Sequence, residues 1–362
     1  MQLTVKLDEK DRRALVNARL PEQVGFGDLI LPIMTITRYR NGEWQTTELR
    51  PYEDIKISPS CKGMHYGQTI FEGLKAYSNL HSSSANVFCL RQHWQRLNSS
   101  ASELGMPTIP EEVFSKAVTA LVSRAKNFIP TVLGDALYIR PFMFSSASGL
   151  GLANNNEFEF YIIASPSQAY FNEPLKVLIE RQRYRAFKGG TGMIKMAGNY
   201  GQIFTSMQRA KEKGCGLSLW LDADTGKYVE EFSAMNFFAV RKGVLFTPPL
   251  LGTILPGVTR SAVISLAQDL GIECVEEAIA IDELLGEIKS GECEEVFASG
   301  TGATITPISE IKDEDGSSYV ISKFDVSLKI KEYLQQIHHG LKKSPIEGSC
   351  TEVNFIDMEN KF

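Results

Sequence analysis

No stretch of the 362-residue chain approaches the roughly 18 consecutive apolar residues that a membrane-spanning helix requires. Basic residues are not in excess: 38 Lys and Arg stand against 43 Asp and Glu, a net charge of −5 with a pI of about 5.7. That balance lacks the electrostatic footprint of a protein that binds nucleic acid or an anionic membrane, and it suits a small-molecule substrate. The N-terminal stretch MQLTVKLDEKDRRALVNARL has no signal-peptide apolar run, and its acidic residues speak against an organellar transit peptide. Six cysteines, at 61, 89, 215, 274, 293 and 350, include no CxxC pair and are scattered through a long chain. Scattered thiols exclude a disulfide scaffold and structural zinc, so the expectation is reduced cysteines, no metal and a cytoplasmic setting. There is no internal repeat of solenoid or propeller type.

The composition is that of a globular protein, 43% hydrophobic and 22% charged with mean hydropathy −0.12. At this length one core stops growing, and two domains are expected. Leu29 to Arg38 and Glu43 to Leu49 flank Asn41-Gly42, a hairpin signal. Arg91 to Leu104 and Glu111 to Lys126 carry helical spacing, the second with Pro110 near its first position. Ala136 to Phe144 and Glu157 to Ala164 are apolar runs of strand length around a loop rich in Gly, Ser and Asn. Two prolines bracket the polar segment Ser165 to Pro174, a candidate linker. The expected organisation is a smaller α/β domain over 1–164, the linker 165–174 and a larger domain over 175–341. Residues 342–362 are expected to form a polar, loosely ordered tail. In the second half, Leu175 to Glu180, Leu217 to Leu221, and the pair Phe237 to Val240 and Val244 to Thr247 read as strands. Tyr200 to Lys213 and Thr259 to Leu270 read as helices stopped by Gly214 and Gly271. Strands and helices mixed in both halves indicate an α/β or α+β fold.

Four segments carry possible chemistry. Lys195 sits in the glycine-rich KGGTGMIKMAGNYG, just ahead of a helix; it is either a Schiff-base nucleophile or a solvated loop lysine. Leu255 to Arg260 opens the next helix with Gly257, Val258 and Thr259, either an anion site or an ordinary helix start. Tyr228 to Ser233 brings Glu230 and Glu231 side by side; spacing does not separate a solvated pair from a carboxylate with a partner. Ser299 to Thr304 is a run of small residues after an apolar strand, either a tight turn or an anion-binding one.

Taken together and in order, seven motifs resemble those of branched-chain aminotransferases of fold type IV. They are HYGQTIFEGLKAY (65–77), RQHWQRL (91–97), LYIRP (137–141), IKMAGNYG (194–201), YVEEFSAMNFF (228–238), TPPLLGTILPGVTR (247–260) and FASGTGATITP (297–307). The resemblance runs from about Gly25 to about Gly340 and implies two domains with pyridoxal 5'-phosphate at their interface. It implies that Lys195 forms the internal aldimine and shuttles the proton, and that Glu231 meets the pyridine nitrogen. Tyr200 is expected at the ring hydroxyl, and Arg96, Gly257, Val258, Thr259 and Thr301 around the phosphate. Tyr66, Phe71, Tyr138, Arg140, Ala234, Gly302 and Ala303 are expected to line the substrate pocket. There, aromatic walls would take an aliphatic side chain and Arg140 the side-chain carboxylate of glutamate. Leu150 and Leu152 resemble the loop that reaches a partner subunit, which implies a homodimer. The implied activity is transamination between L-leucine, L-isoleucine or L-valine and 2-oxoglutarate by a ping-pong mechanism. The alternatives are a D-amino acid aminotransferase or an aminodeoxychorismate lyase of the same fold, or a catalytically silent homologue that binds the cofactor.

Three departures from the family pattern stand out. Ala197 occupies a position where glycine is common, and a positive φ there would cost on the order of 1 kcal/mol. Ala234 replaces a threonine found in some members. Residues 303–306 read Ala-Thr-Ile-Thr, so the redox CxxC of one branch is absent.

Overall fold

The computed structural model describes residues 2–152, 156–168 and 173–358. Two mixed α/β units emerge, residues 1–170 with 195–198 and 335–362, and residues 171–194 with 199–334. The strands of the first sheet are β1 (Leu3–Val5), β2 (Ile33–Arg40), β3 (Glu43–Trp44), β4 (Thr47–Pro51), β5 (Thr69–Phe71), β6 (Leu74–Ser78), β7 (Ser84–Phe88), β8 (Ala136–Ser145) and β9 (Phe158–Ser167). Those of the second are β10 (Leu175–Glu180), β11 (Leu217–Leu221), β12 (Val229–Phe232), β13 (Met235–Arg241), β14 (Val244–Thr247), β15 (Cys274–Glu276), β16 (Cys293–Gly300), β17 (Thr304–Lys312) and β18 (Ser318–Val320). A last strand, β19 (Cys350–Asn354), returns to the first sheet. The helices are α1 (Glu9–Val16), α2 (Lys62–Tyr66), α3 (Leu90–Glu103), α4 (Glu111–Val122), α5 (Gly201–Glu212), α6 (Val258–Asp269), α7 (Ile281–Ser290) and α8 (Asp325–His338).

The first sheet runs β1-β4-β2-β9-β8-β6-β7-β19, with β3 on β2 and β5 on β8. The β2–β3 hairpin turns on Asn41 and Gly42, whose φ values of 55° and 84° are the left-handed pair that this turn demands. The period of two along β8 buries Leu137, Ile139 and Met143 completely. It places Tyr138, Arg140 and Phe142 together on the other face. α4 meets the sheet through Val113, Phe114, Ala117, Val118 and Leu121, all at most 1% exposed, and the Phe114 ring stacks on Phe160 at 6.0 Å. Burial of one such phenylalanine stabilises the unit by about 2–3 kcal/mol. Pro110 is the cap of this helix rather than its first residue, and the helix stops at Val122, where a short 3-10 turn over Lys126–Phe128 takes over.

In the second sheet the order is β12-β11-β10-β17-β16-β13-β14-β15, and β12 also pairs with β13. That extra pairing closes the strands from β12 round to β13 into a ring, whose interior packs Leu219, Phe232, Phe237 and Val296. Continuous apolar runs bounded by turn residues account for β10 and β11, and Lys242 and Gly243, with φ of 50° and 78°, make the β13–β14 turn.

Two expectations require correction. Residues 342–362 are not simply a loose tail: Cys350 to Asn354 pair in register with Phe88 to Ser84, and Val353 is 6% exposed. A strand at a sheet edge needs only one buried apolar side chain, so its polar composition hides it. β9 runs on to Ser167, inside the segment expected as linker, and the first unit also includes Lys195 to Gly198 and the chain from Gln335 onward. Among the described residues no helix is long and apolar enough to cross a membrane.

Candidate active site

In the first unit the side chains converge on β5, β8, α3 and the segment at 195. Isolated bridge pairing of Ile70 with Met196 brings that segment against β5. The Phe71 amide donates to the Lys195 carbonyl at 3.1 Å. The Lys195 amide donates to Ser100 Oγ at 2.9 Å, and Ser100 donates to the Arg96 carbonyl at 3.0 Å. Helical spacing puts His93, Arg96 and Ser100 on one face of α3. One helix thus positions both the lysine backbone and the arginine.

The Phe71 ring carries two cations: Lys195 Nζ and the Arg140 guanidinium carbon each lie 4.8 Å from its centroid. Arg140 Nη2 donates to the Tyr138 hydroxyl at 2.9 Å. Gly73 is required beside that hydroxyl, since a Cβ there would fall 2.0 Å from it. Tyr66 donates its hydroxyl to the Leu150 carbonyl, and Leu150 and Leu152 are 69% and 80% exposed.

Arg96 is not held alone. Glu72, fully buried, takes Arg96 Nε at 2.6 Å and Nη2 at 2.9 Å, His93 Nδ1 at 2.7 Å, and the Gly73 amide at 3.1 Å. Burial alone would raise the Glu72 carboxyl, but the Arg96 guanidinium and the His93 ring outweigh it and hold the group well below the ordinary carboxylate range. Burial pushes His93 down, Glu72 opposing and the Arg96 and Lys195 charges assisting. A neutral His93 that donates Nδ1–H to Glu72 satisfies both observations.

In the second unit, Glu231 on β12 is surrounded by donors. Arg185 Nε forms an ion pair with Oε1 at 2.7 Å without hydrogen-bond alignment, while Asn236 Nδ2 and the Leu255 amide donate to Oε2 at 3.2 and 3.3 Å. Its neighbour Glu230 is raised above the usual carboxylate range by burial, against a bond from Thr253 and the charge of Arg185. Geometry therefore separates the two adjacent acids that spacing left equivalent. Asn236 also donates to the Leu255 carbonyl at 2.9 Å. Gly257, the cap of α6, has no room for a side chain, because a Cβ would fall 1.9 Å from Asn236 Oδ1. No side chain caps α6, so its first turn, with Val258 and Thr259 buried, presents backbone donors of the kind that receive an anion.

The turn at Thr301, Gly302 and Ala303 links β16 to β17 and ends on Thr304, whose φ is 63°. Ala234 lies in the tight turn between β12 and β13, its carbonyl 3.8 Å from where a Gly300 Cβ would be. Tyr200 caps α5, and Asn199 before it staples the preceding loop by donating to Thr191 and Ile194 carbonyls at 2.7 and 2.9 Å. Ala197 is not among the residues with positive φ, so the cost expected there does not arise. Glu72, His93, Ser100, Arg185 and Asn236 were not singled out from sequence. A glutamate between Phe71 and Gly73, in the link between two strands of apolar character, was the available signal for the first.

A two-sheet mixed α/β chain of this kind is the architecture of known branched-chain aminotransferase structures. The chain is similar to that from the thermophilic archaeon Thermoproteus uzoniensis with norvaline, at TM-score 0.72 and 31% identity over 88% of this chain and 99% of that one. It is also similar to a T.th. enzyme complexed with N-(5'-phosphopyridoxyl)-L-glutamate, at TM-score 0.70 and 28% identity over 87% and 97%. The sequence model of amino-transferase class IV matches residues 69–311, and the chain belongs to that family. Among curated relatives, it is 37% identical to branched-chain-amino-acid transaminase 1 of Bacillus subtilis (strain 168), over 90% of this chain and 93% of that one. A probable branched-chain-amino-acid aminotransferase of Staphylococcus aureus (strain N315) is 36% identical over 96% and 97%.

Proposed function

We propose that the protein is a branched-chain-amino-acid transaminase that moves the amino group of L-leucine, L-isoleucine or L-valine to 2-oxoglutarate with pyridoxal 5'-phosphate. The observation that carries this reading is the Phe71 ring with Lys195 and Arg140 both at 4.8 Å. An apolar wall with a fixed cation beside the lysine suits a pocket that takes an aliphatic side chain in one half-reaction and a carboxylate in the other.

The residues fit the cofactor. Arg96, held by Glu72, and the uncapped start of α6 suit a phosphate, and the donor-rich Glu231 carboxylate suits a protonated ring nitrogen. When bound, pyridoxal phosphate supplies an aldehyde for amine exchange and a ring that draws electrons from the substrate α-carbon. Lys195 Nζ would take the proton from that carbon and deliver it to the cofactor's aldehyde carbon, not back to the α-carbon, which is the 1,3 shift transamination needs. Glu231 would hold the proton on the ring nitrogen, and Tyr200 would donate to the ring hydroxyl oxygen. Arg96, Gly257, Val258, Thr259 and Thr301 hold the phosphate. Amides of Gly302 and Ala303 take the substrate α-carboxylate, while Tyr66, Phe71, Tyr138, Arg140 and Ala234 surround its side chain. The exposed Leu150 and Leu152 reach the site of a second copy in a cytoplasmic homodimer.

The test is an assay of purified protein with pyridoxal phosphate and 2-oxoglutarate, comparing L-leucine with D-alanine. Turnover of L-leucine, lost in Lys195→Ala, is expected. Preference for D-alanine supports the D-specific alternative, and cofactor binding without turnover supports a silent homologue.

A further inference from the structure

Arg185 is 8% exposed, and its guanidinium reaches three separated parts of the second unit. Nε lies 2.7 Å from Glu231 Oε1. Nη2 donates to the Gly192 carbonyl at 2.9 Å and to the Thr253 carbonyl. Gly192 belongs to the glycine-rich loop that leads to Lys195, and Thr253 to the loop that leads into α6. The two loops touch independently of the arginine: a Cβ on Gly192 would fall 2.4 Å from the Thr253 carbonyl oxygen. The cation therefore sits where both backbone segments and the Glu231 carboxylate meet.

We propose that Arg185 is a positioning residue that keeps Glu231 ionised and aimed while fixing the spacing of the 186–194 and 251–257 loops. This rests on the reading of Glu231 as the partner of the ring nitrogen. A guanidinium suits both tasks, because its Nη2 donates to two carbonyls while its charge faces a carboxylate, and it stays charged when buried. Electrostatics favours Glu231 over its neighbour as the anion. Burial raises Glu230 above the usual carboxylate range, and it is Glu231 that the Arg185 guanidinium faces at 2.7 Å. The donors Asn236 and the Leu255 amide, which also reach Glu231, are neutral and do not replace the charge of the arginine. A buried carboxylate without that charge takes up a proton more readily and polarises the ring less.

The consequence separates into two measurable parts. Arg185→Gln loses the charge and the carbonyl fork together. Arg185→Lys keeps a cation beside Glu231 but cannot bridge both carbonyls. With the holoenzyme, Arg185→Gln is expected to bind pyridoxal phosphate about tenfold more weakly, as loss of charged hydrogen bonds implies. Its turnover per bound cofactor should fall while the KM for L-leucine stays within about threefold. α-Proton removal then limits the rate, and the isotope effect with 2-deuterated L-leucine rises. Arg185→Lys is expected to regain turnover and the wild-type isotope effect while keeping the weaker cofactor affinity. Should Arg185→Gln not fold, the lysine variant still decides: cofactor affinity equal to wild type overturns the proposal. Isotope effects unchanged in a folded Arg185→Gln overturn it as well. A wild-type protein that gains no visible absorption with pyridoxal phosphate overturns the proposed function instead.

Discussion

Glu72 grips Arg96 at two points, Nε to Oε1 at 2.6 Å and Nη2 to Oε2 at 2.9 Å, in a setting where the carboxylate has no exposure at all. Removing one partner of such a pair leaves a buried charge uncompensated, at a cost of about 3–5 kcal/mol. Glu72→Gln is expected to lower the denaturation midpoint and weaken pyridoxal phosphate binding, because Arg96 loses its orientation. Unchanged cofactor affinity in a folded Glu72→Gln would show that the pairing serves stability alone.

His338 supplies a pH prediction. It is 2% exposed, stacks on Tyr77 with ring centroids 4.0 Å apart, and neither ring nitrogen has a hydrogen-bond partner among the described residues. Burial, then the charge of Lys75 and then His339, push its pKa well below the usual histidine value. The unfolded chain therefore binds the proton first. Stability is full above the unfolded pKa, near 6.5, and declines as pH falls through it. His338→Phe keeps the stacking and removes the titration. Its melting temperature should fall less than that of the wild type between pH 8 and pH 5.5. Parallel curves for the two proteins would assign the acid sensitivity elsewhere.

Thr304 holds a φ of 63° at the end of the 301–303 turn, a conformation disfavoured for a β-branched residue. Thr304→Gly relieves that strain, offset in part by greater freedom of the unfolded chain, for a net gain of about 0.5–1 kcal/mol. The expected signature is a higher melting temperature with a raised KM for L-leucine, as the turn loosens. A lower melting temperature contradicts it.

Gly257 and Asn236 make a steric prediction. The Cβ of Gly257→Ala would fall 1.9 Å from Asn236 Oδ1, and Asn236 is held by both Glu231 and Leu255. Displacing it disturbs Glu231 and the start of α6 together. Cofactor affinity should drop by about tenfold or more, a loss of at least about 1.4 kcal/mol. Equilibrium titration with pyridoxal phosphate measures this directly.

Much of the fold was legible where one local rule decides. Leu175 to Glu180 and Leu217 to Leu221 are apolar runs between turn residues, and they form strands with those bounds. Asn41-Gly42 fits only a left-handed turn. The resemblance implies that Phe71, Tyr138, Arg140 and Lys195 serve one site, and the Phe71 ring lies against both Lys195 and Arg140. What spacing could not show is the pairing of distant charges: Arg96 with Glu72, or Arg185 with Glu231. Such pairs depend on which strands become neighbours, and a glutamate in an apolar strand does not name its partner. Ala197 illustrates the converse: its backbone needs no positive φ, which its sequence context did not disclose.

The return of β19 to pair with β7 also orders events during synthesis. Residues 350–354 leave the ribosome only after the second unit has been made in full, so the first sheet carries an open edge at β7 through that interval. Long-range pairing of this kind slows folding, because chain closure over hundreds of residues precedes the contacts that reward it. The second unit's ring needs no such late strand.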